Sequence, residues 1–150
     1  MKHQVLVLCT GNTARTHMAE GLFRELAPHV VEAVSAGLKA SFVHPLAVRA
    51  MAERGIDITH HRSKSYDEYI DRPFDYVITV CDTAAEACPV FPGRGQRLHW
   101  SFPDPLAATG TDEEKLVAFR ATRDAIEATI RGWLTTLAEQ ATASAAHAER

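Results

Sequence analysis

The sequence predicts a single-domain α/β fold, an open sheet of parallel strands flanked by helices. Three observations predict it. Short aliphatic runs without polar alternation recur along the chain, as strands covered on both faces require. Helically spaced apolar residues fill the segments between them, and strands that alternate with helices form a parallel sheet. The 150 residues, 46% hydrophobic and 23% charged, suit one buried core. No repeat, linker or second domain is evident.

The first strand is the run Val5-Leu6-Val7-Leu8, which ends in the turn Cys9-Thr10-Gly11-Asn12. A helix follows from Thr16 to Ala27, with Met18, Leu22, Phe23 and Leu26 on one face and Pro28 as its stop. Val30 to Ala36 reads as the second strand, closed by Gly37. Pro45 to Arg54 is a helix with proline in its first turn and Gly55 just past its end. Phe74 to Val80 is the third strand, and the less apolar Gln96 to Trp100 the fourth. Thr111-Asp112-Glu113-Glu114 is a capping box, in which hydroxyl and carboxylate each satisfy an orphan amide. Leu116, Phe119, Ile126, Ile130, Trp133 and Leu137 then mark one face of a long helix. Beyond Glu139 the chain has little to bury. The expected domain is therefore 1–138, with 139–150 a frayed or disordered tail.

Charge and hydropathy exclude several functions. Sixteen basic against nineteen acidic residues give a net charge of -3, which excludes a generally basic nucleic-acid binder. No apolar run approaches the roughly 20 residues of a membrane-spanning helix. The opening MKHQVLVLCTGN has a four-residue apolar run, too short for a signal-peptide core. The expected compartment is the cytoplasm, with no membrane association. The cysteines are three, Cys9, Cys81 and Cys88. So few argue against a disulfide framework and leave reactive thiols, metal ligands or packing.

Cys9-Thr10-Gly11-Asn12-Thr13-Ala14-Arg15-Thr16 places a thiol where a strand ends and a helix begins. Open α/β sheets bind ligands there. Such a loop aims several backbone N–H groups at one point, an anion site whose field also stabilises a thiolate. Arg15 adds a planar fork matched to a tetrahedral oxyanion. Gly11 permits the tight turn and Asn12 tolerates left-handed backbone angles.

Cys81 should end the third strand and so lie at the same sheet edge as Cys9. The intervening Asp82-Thr83-Ala84-Ala85-Glu86-Ala87 reads as a short helix. Helical rise would then separate Cys81 and Cys88 by about 10 Å. A disulfide needs Cα atoms within about 7 Å, so a Cys81–Cys88 bond requires that helix to unwind. A three-cysteine zinc site lacks its usual short knuckle spacing here. Asp104, held between Pro103 and Pro105 just past the fourth strand, has a backbone fixed at little entropic cost, which suits a residue that reaches over the loop. An ordinary turn aspartate fits the same residues. His17 lies beside the loop on the first helix, whereas His60 and His61 occupy a polar stretch and are expected to be solvated.

Cys9-x5-Arg15 followed by Thr16-His17-Met18-Ala19-Glu20 resembles the phosphate loop of the low-molecular-weight protein tyrosine phosphatases and their relatives. Within that superfamily the chain is most similar to the thioredoxin-coupled arsenate reductases, from about Val5 to Leu137. Ser35-Ala36-Gly37, Gly55-Ile56-Asp57-Ile58 and Arg62-Ser63 also fit the pattern. The resemblance implies four parallel strands and a nucleophilic Cys9 supported by Asn12 and Thr16. It also implies an oxyanion cradle of Thr10, Gly11, Asn12, Thr13, Ala14 and Arg15, with Asp104 as acid. It makes Cys81 and Cys88 the Cys-x6-Cys pair that relays oxidation away from Cys9. Thr13 and Thr16 stand where serine is usual, which keeps the hydroxyls.

Arsenate reduction regenerated by thioredoxin, serving arsenic detoxification, is the function this implies, in a monomer. No bound cofactor and no metal is required, because the electrons come from thiols; phosphate or sulfate would bind as analogues. The resemblance also implies a candidate cation site at Asn12, Glu20 and Ser35, as in related reductases, with the Lys64 ammonium expected to replace the ion. The alternative is a phosphotyrosine or phosphoarginine phosphatase using the same loop, an activity that can coexist with reduction. Thr13 keeps it open, since the related protein-arginine phosphatases carry threonine there. The paired tyrosines and late Asp-Pro acid of the tyrosine phosphatases are not evident after Asp104. A non-catalytic arsenite-binding or redox-sensing module would leave Arg15 and Asp104 without purpose.

Overall fold

The computed structural model describes residues 2–82 and 89–148, with side chains as far as residue 143. Cys88 and the expected helix leading to it lie outside the described residues. Strand β1 (His3–Cys9) sits inside a four-stranded sheet ordered β2-β1-β3-β4, with β2 at Val31–Gly37, β3 at Tyr76–Thr79 and β4 at Gln96–His99. Every pairing is parallel: Leu8 faces Ala36 on one side and Thr79 on the other, and Cys9 faces Gly37. The C-terminal ends of β1, β2 and β3 therefore meet at one edge.

Val5 to Leu8 are fully buried because both faces of β1 are covered. Val5 and Val7 point into the larger core, where they meet Met18, Leu22 and Phe23 of helix α1 (Arg15–Leu26). Helix α2 (Pro45–Ala52) and helix α3 (Asp112–Ala148) add Met51, Phe119, Ile126 and Ile130 to it. Leu6 and Leu8 point the other way, into a smaller cluster with Phe74, Val77 and Phe91, flanked by Tyr66 and Tyr69. Among the described residues, the three α-helices thus share one face, and a 3-10 turn at Tyr66–Tyr69 and loop aromatics close the other.

The terminal signals in the sequence operate as expected. Proline opens α2, His44 Nδ1 accepts from the Leu46 amide at 3.0 Å, and Gly55 takes φ +72° beyond the helix end. The Thr111–Glu114 capping box is reciprocal, with both bonds at 3.2 Å. Helix α3 docks through aromatic edges. Trp133 lies 5.8 Å from Phe23, 5.0 Å from Tyr76 and 5.7 Å from Trp100, centroid to centroid. Arg123 secures α3 to α2 by donating to the Ala50 carbonyl at 2.8 Å and to Glu53 at 2.9 Å.

The helical backbone continues through the segment expected to fray, as far as Ala148. Alanine-rich sequence has the highest helix propensity, so helix needs no burial to persist there. Residues 139–143 are exposed, as expected of a stretch with nothing to bury. Strand β3 is shorter than its apolar run, although the Val80 amide still donates to the Leu8 carbonyl at 3.1 Å.

Candidate active site

The site grows from the turn after β1. Asn12 takes φ +52°, the left-handed region that asparagine tolerates better than most residues. That conformation points its N–H at Cys9 Sγ, 3.3 Å away. Both side-chain ends of Asn12 are used. Oδ1 accepts from the Lys64 amide at 2.8 Å, and Nδ2 donates to Thr16 Oγ1 at 2.8 Å and Ser35 Oγ at 3.1 Å. Thr16 Oγ1 in turn lies 3.7 Å from Cys9 Sγ. One fully buried asparagine therefore joins the loop, α1, β2 and the chain at Lys64.

Close backbone approach holds the loop from outside. The Thr10 carbonyl accepts from the Leu38 amide, and the Thr13 carbonyl from the His44 amide, both at 2.9 Å. Gly37 makes this possible: a Cβ there would sit 2.8 Å from the Thr10 oxygen and 2.9 Å from the Asn12 nitrogen. Helix α1 starts at Arg15 with no side chain capping its N-terminus and no acidic residue in its first turn. The partial positive charge of its N-terminus is thus left facing the loop.

Arg15 is buried, and its Nη1 donates to the Phe102 carbonyl at 3.0 Å. Its Nη2 lies 3.8 Å from Asp104 Oδ2. Asp104 itself accepts from the Leu106 amide at 3.0 Å, capping the 3-10 turn Pro105–Ala107. The structure therefore sets Asp104 beside Arg15, at the end of the turn that Cys9 begins, with Cys9 buried and Asp104 more exposed. Cys81 follows β3 at the same edge and is fully buried. Neighbouring strands lie about 4.8 Å apart, so Cys81 emerges beside the end of Cys9's strand. Cys9 is a free thiol, whereas Cys81 is disulfide-bonded.

Two expectations need correction. His61 is not solvated. Its side chain is 2% exposed, because the chain after Ile58 folds back over α1. There His61 Nε2 lies 3.0 Å from Glu20 Oε2, and its Nδ1 3.1 Å from His17 Nδ1. His17 Nε2 donates to the Asn12 carbonyl at 3.0 Å. The one sequence signal for this cluster was His17 and Glu20 three apart, on one face of α1. Second, Asn12, Glu20 and Ser35 do not offer a cation three converging oxygens. Asn12 turns its N–H₂ end toward Ser35, and Glu20 is turned to His61. The Lys64 ammonium, its pKa lowered by burial against the pull of Glu20, donates to the Arg62 carbonyl at 2.9 Å.

A thiol under a strand–helix turn, an arginine fork and a proline-flanked carboxylate define an oxyanion-binding cysteine enzyme on a parallel sheet. The chain belongs to the low molecular weight phosphotyrosine protein phosphatase family, whose sequence pattern matches residues 4–143. It is 44% identical over 125 residues to an arsenate reductase of Halalkalibacterium halodurans, covering 83% of this chain and 90% of that one. An arsenate reductase of Bacillus subtilis is 43% identical over 122 residues, covering 81% and 88%. The fold superposes on an arsenate reductase solved in its phosphate binding state with TM-score 0.75 at 28% identity, covering 91% and 98%. An arginine phosphatase from Geobacillus stearothermophilus gives TM-score 0.70 at 25% identity, covering 92% and 94%.

Proposed function

We propose that the chain reduces arsenate to arsenite through a thiol–disulfide relay, with residues 1–138 as the working unit and 139–150 as an appended tail. The observation that carries this reading is Cys81, buried at the end of the strand beside that of Cys9. A phosphatase needs the loop but has no use for a second cysteine there. The relatives named arsenate reductases support the same reading.

Arsenate sits on the amides of residues 10 to 15 and the Arg15 fork, and the Cys9 thiolate attacks arsenic. An As–O bond breaks, and Asp104 gives its proton to the departing hydroxide. The Cys81 thiolate then attacks the Cys9 sulfur. The S–As bond breaks with its electron pair going to arsenic, arsenic falls from +5 to +3, and arsenite leaves. Cys88 attacks Cys81, Cys9 departs as thiolate, and a Cys81–Cys88 disulfide awaits a dithiol reductant of the thioredoxin class. Two electrons pass from thiols to arsenic in each cycle, so this chemistry needs no resident metal or organic cofactor. A cytoplasmic monomer with free access to thioredoxin suits this cycle, since the cytosol keeps thiols reduced.

A second reading has its own support. Thr13 in the loop and the similarity to an arginine phosphatase favour hydrolysis of phosphoarginine, through a phosphocysteine on Cys9 released by water. One experiment separates the two. Reduced thioredoxin, its reductase and NADPH are mixed with the chain, and NADPH loss is followed on adding arsenate. Arsenate-dependent oxidation that vanishes in Cys9→Ser and Cys81→Ser supports the relay. No oxidation, together with release of phosphate from phosphoarginine, supports the phosphatase.

A further inference from the structure

We propose that His17, Glu20 and His61 form a binding site for a divalent transition ion of the zinc class, directly behind the catalytic loop. Their ligand atoms all lie within 4.8 Å of one another, one on each residue. His17 and Glu20 project from one face of α1, and His61 arrives from the segment after Ile58.

Hydrogen-bond roles show that His17 presents a lone pair to this cluster. The Asn12 carbonyl can only accept, so the His17 Nε2 that faces it carries the proton. With the proton on Nε2, the neutral ring leaves Nδ1 bare toward the cluster. Metal-bound histidines characteristically donate their other ring N–H to a carbonyl or carboxylate. His17 already does so. Its Nδ1 stands 3.1 Å from His61 Nδ1. Two nitrogens about 2.0–2.1 Å from a tetrahedral zinc ion lie roughly 3.3 Å apart, so the pair is near ligand spacing. Glu20 supplies the carboxylate.

The cluster without metal also holds a conflict. His61 Nε2 lies 3.0 Å from the Glu20 oxygen, an acceptor, and 3.0 Å from Arg24 Nη1, a donor. One nitrogen cannot donate to the first and accept from the second. A metal ion resolves the conflict by drawing Glu20 and a His61 nitrogen to itself, while the exposed Arg24 withdraws. Lys64 and Arg24 place positive charge nearby, which repels a divalent ion twice as strongly as a monovalent one, so binding rests on coordination by the two imidazole nitrogens and the Glu20 carboxylate. Three protein ligands leave a fourth position for water. Because His17 holds the Asn12 carbonyl, occupancy would stiffen the loop that positions Cys9.

The test is a Co²⁺ titration of the reduced full-length chain, followed by visible absorption, with Zn²⁺ competition by equilibrium dialysis. One equivalent should bind, showing ligand-field bands without sulfur-to-cobalt charge transfer. His61→Ala and His17→Gln should each weaken binding at least about tenfold. Cys9→Ser should leave it unchanged, and Arg24→Ala, a surface change that folds normally, should tighten it. Absence of binding below millimolar metal, a thiolate charge-transfer band lost in Cys9→Ser, or equal affinity in His61→Ala would overturn the site. If the histidine variants fail to fold, weakened or unaltered binding in Arg24→Ala overturns it instead. These readouts do not involve arsenate, so failure of the reductase reading would leave them standing.

Discussion

Asn12 donates its backbone N–H to Cys9 Sγ across 3.3 Å, and it does so from a left-handed backbone conformation at φ +52°. The Cys9 sulfur is thus held by a residue whose conformation and side chain are both committed. Asn12→Ala should cost about 1–2 kcal/mol for the left-handed angle alone. Leaving the Lys64 amide and Thr16 hydroxyl without their partner adds about 1–3 kcal/mol more. Asn12→Gly should recover the first loss and not the second. Urea unfolding of the three proteins, with the rate of Cys9 alkylation, checks this. Equal stability of the alanine and glycine variants would contradict it.

Gly37 is the point where β2 touches the loop. Gly37→Ala should destabilise the fold by about 1–3 kcal/mol, because its Cβ would meet backbone atoms that cannot swing aside. Activity should fall as well, since the displaced atoms are the Thr10 carbonyl and the Asn12 amide. A thermal melt and an arsenate assay on the variant test both effects. An unshifted melting temperature would show that the strand end yields more easily than this packing suggests.

Arg15 and Asp104 face each other across 3.8 Å, and each should have a separate signature. Arg15→Lys keeps the charge and loses the fork, so turnover should fall by about 10²-fold or more with weakened oxyanion binding. Asp104→Asn should bind arsenate normally and lose about 10²–10⁴ in turnover, the usual contribution of a general acid. Steady-state kinetics together with sulfate inhibition constants distinguish them. A weakened inhibition constant in Asp104→Asn alone would reverse the roles.

Acid stability has one identifiable source in the α2–α3 contact. The Arg120 hydrogen bonds, with help from Arg123, bring the Glu53 pKa down from 4.5 to about 2. A carboxyl with a lower pKa in the folded chain adds stability above its unfolded pKa and loses it as pH falls. The melting temperature should therefore decline between about pH 4.5 and 2, and less steeply in Glu53→Gln. Because Glu53 is solvent-exposed, raised salt should shrink the difference between the two proteins. Identical pH profiles would remove Glu53 from this account.

Much of this site was readable in the chain because its determinants are local. The unalternating run Val5–Leu8 required a doubly covered strand, and the Cys9-x5-Arg15 turn had to follow at its end. The reciprocal Thr111–Glu114 cap likewise lies within four residues. What escaped depends on long-range approach. His61 reads as a surface residue among polar neighbours, and only the return of the chain across α1 buries it against Glu20 and His17. The role of Lys64 was similarly hidden, because its backbone amide rather than its charge secures Asn12. Helix α3 outran its expected end because alanine sustains a helix without any packing to reveal it.

The central claim is that Cys81 takes the sulfur of Cys9 from arsenic, and a single-turnover experiment on three proteins tests it most directly. Reduced wild type, Cys81→Ser and Cys88→Ser are each mixed with one equivalent of arsenate and no reductant. Arsenite release and disulfide connectivity are then read by mass spectrometry. Wild type and Cys88→Ser should each release one arsenite, and Cys88→Ser should retain a Cys9–Cys81 disulfide. Cys81→Ser should release none, while keeping any hydrolysis of a phosphate ester that needs only Cys9, Arg15 and Asp104. Stoichiometric arsenite from Cys81→Ser would contradict the relay.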